Sequence, residues 1–301
     1  MLCSKRLLSA RAALLLAFLI PFCSRGAESY SFITAGDMRG FIGPGVPGKR
    51  YFDGLCETLA KIGAGEFMVS PGDCDPPGPI RGVIDQYLGT NYLWYPVVGN
   101  HDAARESNMA WLKKWAGNGI PHLARSGPPG SELTTYSFDF GNSHFVVIND
   151  YFDGKSETAG KDDLPDVILQ WLEKDLVATK QQLIWVFGHK PIETQADMDS
   201  GRIRHAKESI STNAVQLARF LALLKVHHVR AYICGHTHGS SVVKVKGIWQ
   251  ADSGHGRGAG DKGAPSTFLK FRIEEQKTWV DVYRADPNGE NYQIRKTVEL
   301  N

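Results

Sequence analysis

The chain has few cysteines, no basic block and no apolar run long enough to cross a bilayer, and each absence narrows what it can be. Of its five cysteines, Cys3 and Cys23 sit in or beside an N-terminal apolar segment. The three that remain, Cys56, Cys74 and Cys234, allow at most one internal bridge, so the fold does not depend on a disulfide framework. No two cysteines stand at a zinc-ligand spacing. There is no internal repeat and no low-complexity stretch, which sets aside solenoid and disordered classes.

The longest apolar run, residues 12–22, is shorter than the roughly 20 residues a membrane helix needs. It follows Lys5, Arg6 and Arg11 and precedes the small residues Ser24 and Gly26, the layout of a signal peptide cleaved near Gly26. Such cleavage predicts a secreted or periplasmic protein with no membrane attachment. It also takes the 34 basic residues to 30 against 32 acidic, a net charge of −2 instead of +2. The basic isoelectric point then belongs largely to the leader, and nucleic acid is not an expected partner.

What is present is a repeated pattern: an apolar strand-like run ends in a glycine followed by aspartate, asparagine or histidine. Residues 30–35 lead to Gly36-Asp37, 67–70 to Gly72-Asp73, 95–98 to Gly99-Asn100-His101-Asp102, 183–187 to Gly188-His189, and 229–234 to Gly235-His236-Thr237-His238. Helical apolar spacing intervenes at Phe52, Leu55, Cys56, Leu59 and Ile62, at Leu164, Ile168, Trp171, Leu172 and Leu176, and at Leu217, Phe220, Leu221 and Leu224. Thr212 or Asn213 would cap the last of these helices. Trp111 and Trp115, four residues apart, read as a helix's buried stripe. Strand–helix alternation indicates an α/β layered fold, in which ligands gather at the carboxyl ends of the strands. Segments 136–149, 267–273 and 279–283 read as antiparallel additions, so the sheets should be mixed. The glycine- and proline-rich stretches 40–48, 127–130 and 254–263 read as long loops near the site, and residues 27–301 as one catalytic domain.

A Gly-Asp pair alone is an ordinary turn. Oxygen and nitrogen donors at five strand ends are a different matter: carboxylate, amide and imidazole together suit borderline metals such as Zn, Mn or Fe. Two histidines two residues apart, as in His236 and His238, project to one side.

The ordered series GDMR, GDCD, GNHD, GHKP and GHTH, spanning residues 36–238, resembles the signature of calcineurin-like metallophosphoesterases. That resemblance implies a four-layer α/β/β/α sandwich holding two metal ions between its sheets. It implies that Asp73 bridges both ions, that Asp37 and His238 bind the first, and that Asn100, His189 and His236 bind the second. His101 is implied to face the substrate. Two cations lower the pKa of a shared water and neutralise phosphoryl oxygens, while a histidine opposite the nucleophile protonates the departing alkoxide. The expected activity is hydrolysis of phosphate mono- or diesters, with His101 as general acid.

The pattern breaks in its first motif, where the family has Asp-x-His and this chain has Arg39, whose guanidinium stays protonated and binds no metal. Purple acid phosphatases also lack that histidine but place a tyrosine three residues after the bridging aspartate; here that residue is Pro76. Three outcomes are open: the first site fills with Asp37, Asp73, His238 and waters; it is too weak to fill; or Arg39 binds the substrate phosphate. The expectation is a filled but weaker first site with Arg39 as a catalytic and substrate-binding residue.

In the glycine-rich loop after the last motif, His255 and Arg257 are further substrate-binding candidates. His205 reads as a surface residue, and His122, His144, His227 and His228 as structural or solvent-facing. Cys74 and Cys234 adjoin motif residues but alternate to the opposite side, as small buried residues rather than ligands. The competing function is a phosphate-ligand binding or scaffold protein that kept the fold and lost activity.

Overall fold

A computed structural model describes residues 29–39, 51–158 and 164–301. The expected leader and the 40–48 stretch lie outside them. Among the described residues no helix is long and apolar enough to cross a membrane.

In chain order the strands of the first half are β1 (Ser29–Thr34), β2 (Phe67–Ser70), β3 (Leu93–Pro96), β4 (Leu123–Ser126), β5 (Tyr136–Phe140) and β6 (Ser143–Val147). Those of the second half are β7 (Leu183–Phe187), β8 (Ala231–Cys234), β9 (Ser240–Val245), β10 (Ile248–Ser253), β11 (Thr267–Glu274), β12 (Lys277–Arg284) and β13 (Gln293–Glu299). The helices are α1 (Phe52–Ile62), α2 (Pro77–Leu88), α3 (Asn100–Ala103), α4 (Glu106–Gly117), α5 (Asp166–Ala178) and α6 (Ala214–Val226).

Two sheets form, ordered β13-β12-β11-β1-β2-β3 and β4-β5-β6-β7-β8-β10-β9. Both are mixed, as expected. β1, β2 and β3 run parallel while β11 pairs antiparallel with β1, and β6, β7, β8 and β10 run parallel with antiparallel strands at either side.

The two sheets face each other across an aromatic core. Phe32 stacks between Phe67 and Phe271, with ring centroids 5.3 and 4.6 Å away, and meets Phe145 and Trp185 of the other sheet edge-on at 5.3 and 5.5 Å. Fully burying each such side chain contributes about 2–3 kcal/mol, so the sheets are fixed firmly beneath the loops they carry.

Helices cover the outer faces. α1 buries Phe52, Leu55, Cys56 and Leu59, the i, i+3, i+4, i+7 stripe of an amphipathic helix, together with α2 against the first sheet. α5 and α6 do the same on the second sheet through Leu172, Leu176, Phe220 and Leu224. Asn213 caps α6, its Oδ1 accepting from Val215 N and Gln216 N at 3.0 and 3.3 Å. Trp111 and Trp115 of α4 pack on Trp94 at centroid distances of 6.0 and 6.2 Å. The four-layer α/β/β/α arrangement is present.

β3 ends at Pro96, two residues before the apolar run does, although Val97 N still donates to Ser70 O at 2.9 Å. A Cβ on Gly127 would strike the carbonyl oxygens of Ser131 and Thr135, so this stretch lies close against the turn that follows it. Cys56, Cys74 and Cys234 are buried free thiols, and burial pushes each well above the ordinary thiol range.

Candidate metal centre

All five glycine-led turns leave the carboxyl ends of parallel strands on one rim of the sandwich. Asp37 follows β1, Asp73 follows β2, Asn100 opens α3 after β3, His189 follows β7, and His236 and His238 follow β8. Backbone bonds tie the turns together: Asp37 N donates to Gly72 O and Met38 N to Asp73 O, at 3.0 and 3.1 Å. Side chains complete the weave. His236 N donates to Asp37 Oδ2 at 2.8 Å and His101 N to Asp73 Oδ1 at 2.9 Å.

Three of the five motif glycines sit where a side chain would strike another residue of the site. A Cβ on Gly99 would fall on the backbone nitrogen and Oδ1 of Asp73, one on Gly235 on Oδ2 of Asp37, and one on Gly72 on the His189 ring. The donors themselves carry strain. Asp37, Asp73, His236 and His238 have φ of 51, 55, 71 and 57°, in the left-handed region that side chains with a Cβ seldom occupy. Such outliers persist where surrounding bonds over-determine them, and they mark functional sites.

The donor atoms converge. Asn100 Oδ1 lies 3.1 Å from His189 Nε2 and 3.2 Å from His236 Nδ1, and those two ring nitrogens are 3.2 Å apart. Ligand atoms of Asp37, Asp73 and His189 all lie within 4.8 Å of one another. On the other side His238 Nε2 is 3.4 Å from Asp37 Oδ1, a buried oxygen without a hydrogen-bond donor. All of these residues except Asn100 are almost fully buried.

Their outer atoms are held in the orientation a metal requires. His189 Nδ1–H donates to Pro71 O at 2.8 Å and His236 Nε2–H to Glu208 Oε2 at 2.7 Å, leaving the facing nitrogens as lone-pair donors. His238 Nδ1–H donates to Asp261 Oδ2 at 2.7 Å, with the Arg204 guanidinium against the same nitrogen. Lone pairs packed this closely repel one another unless a cation lies among them. The nitrogen and oxygen donor set therefore fits a borderline divalent metal.

The buried carboxylates and imidazoles also shift one another's titration. Burial alone would raise Asp37, but the nearby imidazoles of His238, His189 and His236 hold it below the usual carboxylate range. Burial and the approach of Asp37 raise Asp73 against the pull of His189. His189 is raised to about 9, since Asp73, Asp37 and Asp150 outweigh burial, whereas burial and the neighbouring His189 and His205 lower His236 to about 3. Asp102, buried and facing Asp73, is raised to about 8 while accepting from Gly99 N and Cys74 N at 3.0 and 3.2 Å.

His101 stands at the mouth, its side chain 29% exposed and Nε2 3.8 Å from Asp73 Oδ2. Arg39 lies beside it, Nε 3.7 Å from Asp75 Oδ2. Arg257 is near enough to feel Arg39, Asp37 and Asp261.

His255 corrects the sequence reading. It is fully buried, its Nε2–H donating to Ala264 O at 2.9 Å and its Nδ1 accepting from Arg257 N at 3.2 Å, so neither nitrogen is left for a substrate. Its ring instead backs His238, with centroids 5.9 Å apart. His205 is also more than a surface residue. It donates to Glu208 Oε1 at 2.8 Å, and its ring lies 4.2 Å from that of His236. Glu208 and Arg204 carry no mark in the sequence, and Asp75 and Asp261, although they lie in the GDCD motif and the 254–263 loop, have no sequence feature that announces their partners.

Comparison with known proteins agrees with this geometry. The family model described as calcineurin-like phosphoesterase matches residues 16–240. The chain is 24% identical to tartrate-resistant acid phosphatase type 5 of Rattus norvegicus over 75% of its own length and 71% of that protein's. It is 27% identical to the Oryctolagus cuniculus protein of the same name, over 85% and 83%. Among solved structures, PhoD superposes with a TM-score of 0.58 at 12% identity, covering 91% of this chain and 70% of that one. GAP50, described as the anchor in the inner membrane complex of Plasmodium, superposes with 0.57 at 15% identity, covering 91% and 89%.

Proposed function

The chain belongs to the calcineurin-like phosphoesterase family and is a phosphoric ester hydrolase, and from that premise we propose that it hydrolyses phosphate mono- or diesters outside the cytoplasm, in one catalytic domain from about residue 27. The observation that carries the reading is the convergence of Asn100 Oδ1, His189 Nε2 and His236 Nδ1 beside the buried carboxylates Asp37 and Asp73.

In the proposed site Asp37, Asp73 and His238 would hold one divalent or trivalent metal ion, and Asp73, Asn100, His189 and His236 a second. Metal ions held there would polarise the phosphoryl oxygens and make hydroxide available near neutral pH. The remaining roles belong to side chains. Arg39 holds a phosphoryl oxygen with its guanidinium. His101, anchored through its backbone nitrogen to Asp73, hands a proton from Nε2 to the departing alkoxide as the P–O ester bond breaks and the bond to the water oxygen forms. It then regains a proton from solvent. With Arg39 in place of the first-motif histidine and Pro76 in place of the tyrosine, the first site would have three protein ligands, enough for a catalytic metal but fewer than the second. Export rests on the leader-like residues 1–26.

The scaffold reading has Arg39 in its favour. Against it, all seven of Asp37, Asp73, Asn100, His101, His189, His236 and His238 are kept and brought together. The deciding experiment loads purified protein with Mn or Zn and assays a broad phosphoester panel. Turnover should fall by about 10²–10⁴ in His101→Ala, with metal content unchanged. No turnover on any ester, with ligands bound equally well by wild type and His101→Ala, would establish the scaffold instead.

A further inference from the structure

Asp75 is a buried carboxylate beside the centre that the proposed chemistry does not use. It lies two residues past Asp73 and is 3% exposed, a position in which an unpaired charge is costly. Arg105 Nη1 donates to its Oδ1 at 2.6 Å, Asn108 Nδ2 donates to the same oxygen at 3.0 Å, and Arg39 Nε stands 3.7 Å from Oδ2.

A guanidinium that serves only to neutralise a carboxylate usually grips it with two parallel bonds. Neither arginine does so here. Among the described residues Asp75 is the only carboxylate within ion-pair distance of either: Arg105 donates to it through Nη1 alone, while Arg39 Nε, at 3.7 Å, makes no hydrogen bond. One carboxylate between two guanidiniums leaves a net positive charge. The trio also sits along one flank of the reaction site. Arg39 follows Asp37 by two residues, Arg105 follows His101 by four, and the charges of Arg39 and Asp75 both reach the His101 imidazole. Arg105 is half-exposed and open to a ligand.

We infer that Asp75 sets Arg39 and Arg105 as a two-guanidinium clamp beside His101, and that the clamp selects phosphate monoesters over diesters. The inference rests on the phosphoester-hydrolase reading above and adds a substrate class to it. A monoester carries close to two negative charges at neutral pH, its second ionisation lying near 6, and its terminal oxygens accept a fork at each arginine. A diester has one charge and one fewer free oxygen. Arg105 is thus a specificity residue and Asp75 a positioning residue.

The test compares kcat/KM on p-nitrophenyl phosphate and bis(p-nitrophenyl) phosphate for metal-loaded wild type, Arg105→Gln, Arg105→Lys, Arg39→Gln/Arg105→Gln and Asp75→Asn. Metal content is measured for each, and inorganic phosphate binding is followed by calorimetry. The wild type should prefer the monoester. Arg105→Gln and the double variant should lower the monoester-to-diester ratio tenfold or more, chiefly through monoester KM, and weaken phosphate binding by a similar factor. Arg105→Lys, which keeps the charge without the fork, should fall between, and Asp75→Asn should lower the ratio although both arginines remain. A ratio and a phosphate affinity within twofold of wild type in Arg105→Gln and the double variant overturn the clamp, even if Asp75→Asn does not fold. If the wild type turns over neither ester, the hydrolase reading falls, and the phosphate titration of wild type against Arg105→Gln still decides whether the clamp exists.

Discussion

Glu208 holds the ring of His236 from behind: Oε2 accepts from Nε2–H at 2.7 Å, and the opposite nitrogen, Nδ1, is thereby turned to within 3.2 Å of Asn100 Oδ1. Glu208 also receives His205 at 2.8 Å, so one partly exposed carboxylate fixes two imidazoles. Carboxylates that orient a metal-binding histidine typically account for about 10–100-fold in metal affinity. Glu208→Ala should weaken metal binding by that much, and Glu208→Gln, which keeps an acceptor, by less. Competition calorimetry with a chelator reads both, and equal affinity in all three proteins would contradict the assignment.

The glycines of the turns offer a sharper contrast. In Gly99→Ala the new methyl would occupy the place of Asp73, so the variant should lose bound metal and about 2–4 kcal/mol of stability. Gly82, inside α2 with open space around it, should behave oppositely. Gly82→Ala should gain roughly 0.5–1 kcal/mol through helix propensity and leave metal content alone. Urea unfolding with metal analysis checks the pair, and similar effects at the two positions would refute the close-approach argument.

Metal should also act as a folding ligand, since the donors come together only in the folded chain. At a free concentration 100 times Kd, Mn or Zn should add about 2.7 kcal/mol, a rise of roughly 5–10 °C in Tm. Chelator should reverse it, and the double variant Asp73→Asn/His189→Ala should show little of it. A Tm indifferent to metal in the wild type would argue that the donors form no binding site.

A separate pH effect belongs to His144, within the second sheet. Its Nδ1 meets Asp139 Oδ1 at 2.6 Å and its Nε2 meets Asp175 Oδ2 at 2.9 Å. Burial favours the neutral ring, but the two carboxylates outweigh it and raise the group above its ordinary 6.5. A raised folded value means that the stabilisation is complete below 6.5 and is lost as pH climbs through that folded value. Wild type should therefore lose more stability than His144→Gln between about pH 6 and about pH 9. Parallel pH profiles for the two proteins would show the triad to be neutral.

The donors were legible in the sequence because they sit in turns that a glycine opens just past an apolar run: strand burial imposes the run, and at Gly72, Gly99 and Gly235 the close approach of another donor imposes the glycine. The hairpin of β5 and β6 and the stripes of α1, α5 and α6 were legible through periodicity, which one face of burial imposes. Glu208, Asp261 and Asp75 were not. Their roles depend on partners that tertiary folding delivers, as when Glu208 meets His236 across 28 residues and Asp75 meets Arg105 across 30. His255 misled for the same reason. A histidine among glycines reads as mobile and exposed, yet Thr267 N donates to its carbonyl at 2.8 Å as β11 begins, and that bond draws the residue into the interior.

The bond from His236 N to Asp37 Oδ2 joins residues 199 positions apart, and its consequence concerns synthesis. A ribosome emits Asp37 and Asp73 early, but His236 and His238 leave the exit tunnel only after most of the polypeptide. β11, which flanks β1, follows later still. The nascent chain therefore has no complete coordination pocket until translation is nearly finished, and cofactor acquisition comes after the last β-strands dock, wherever the newly made protein then finds itself.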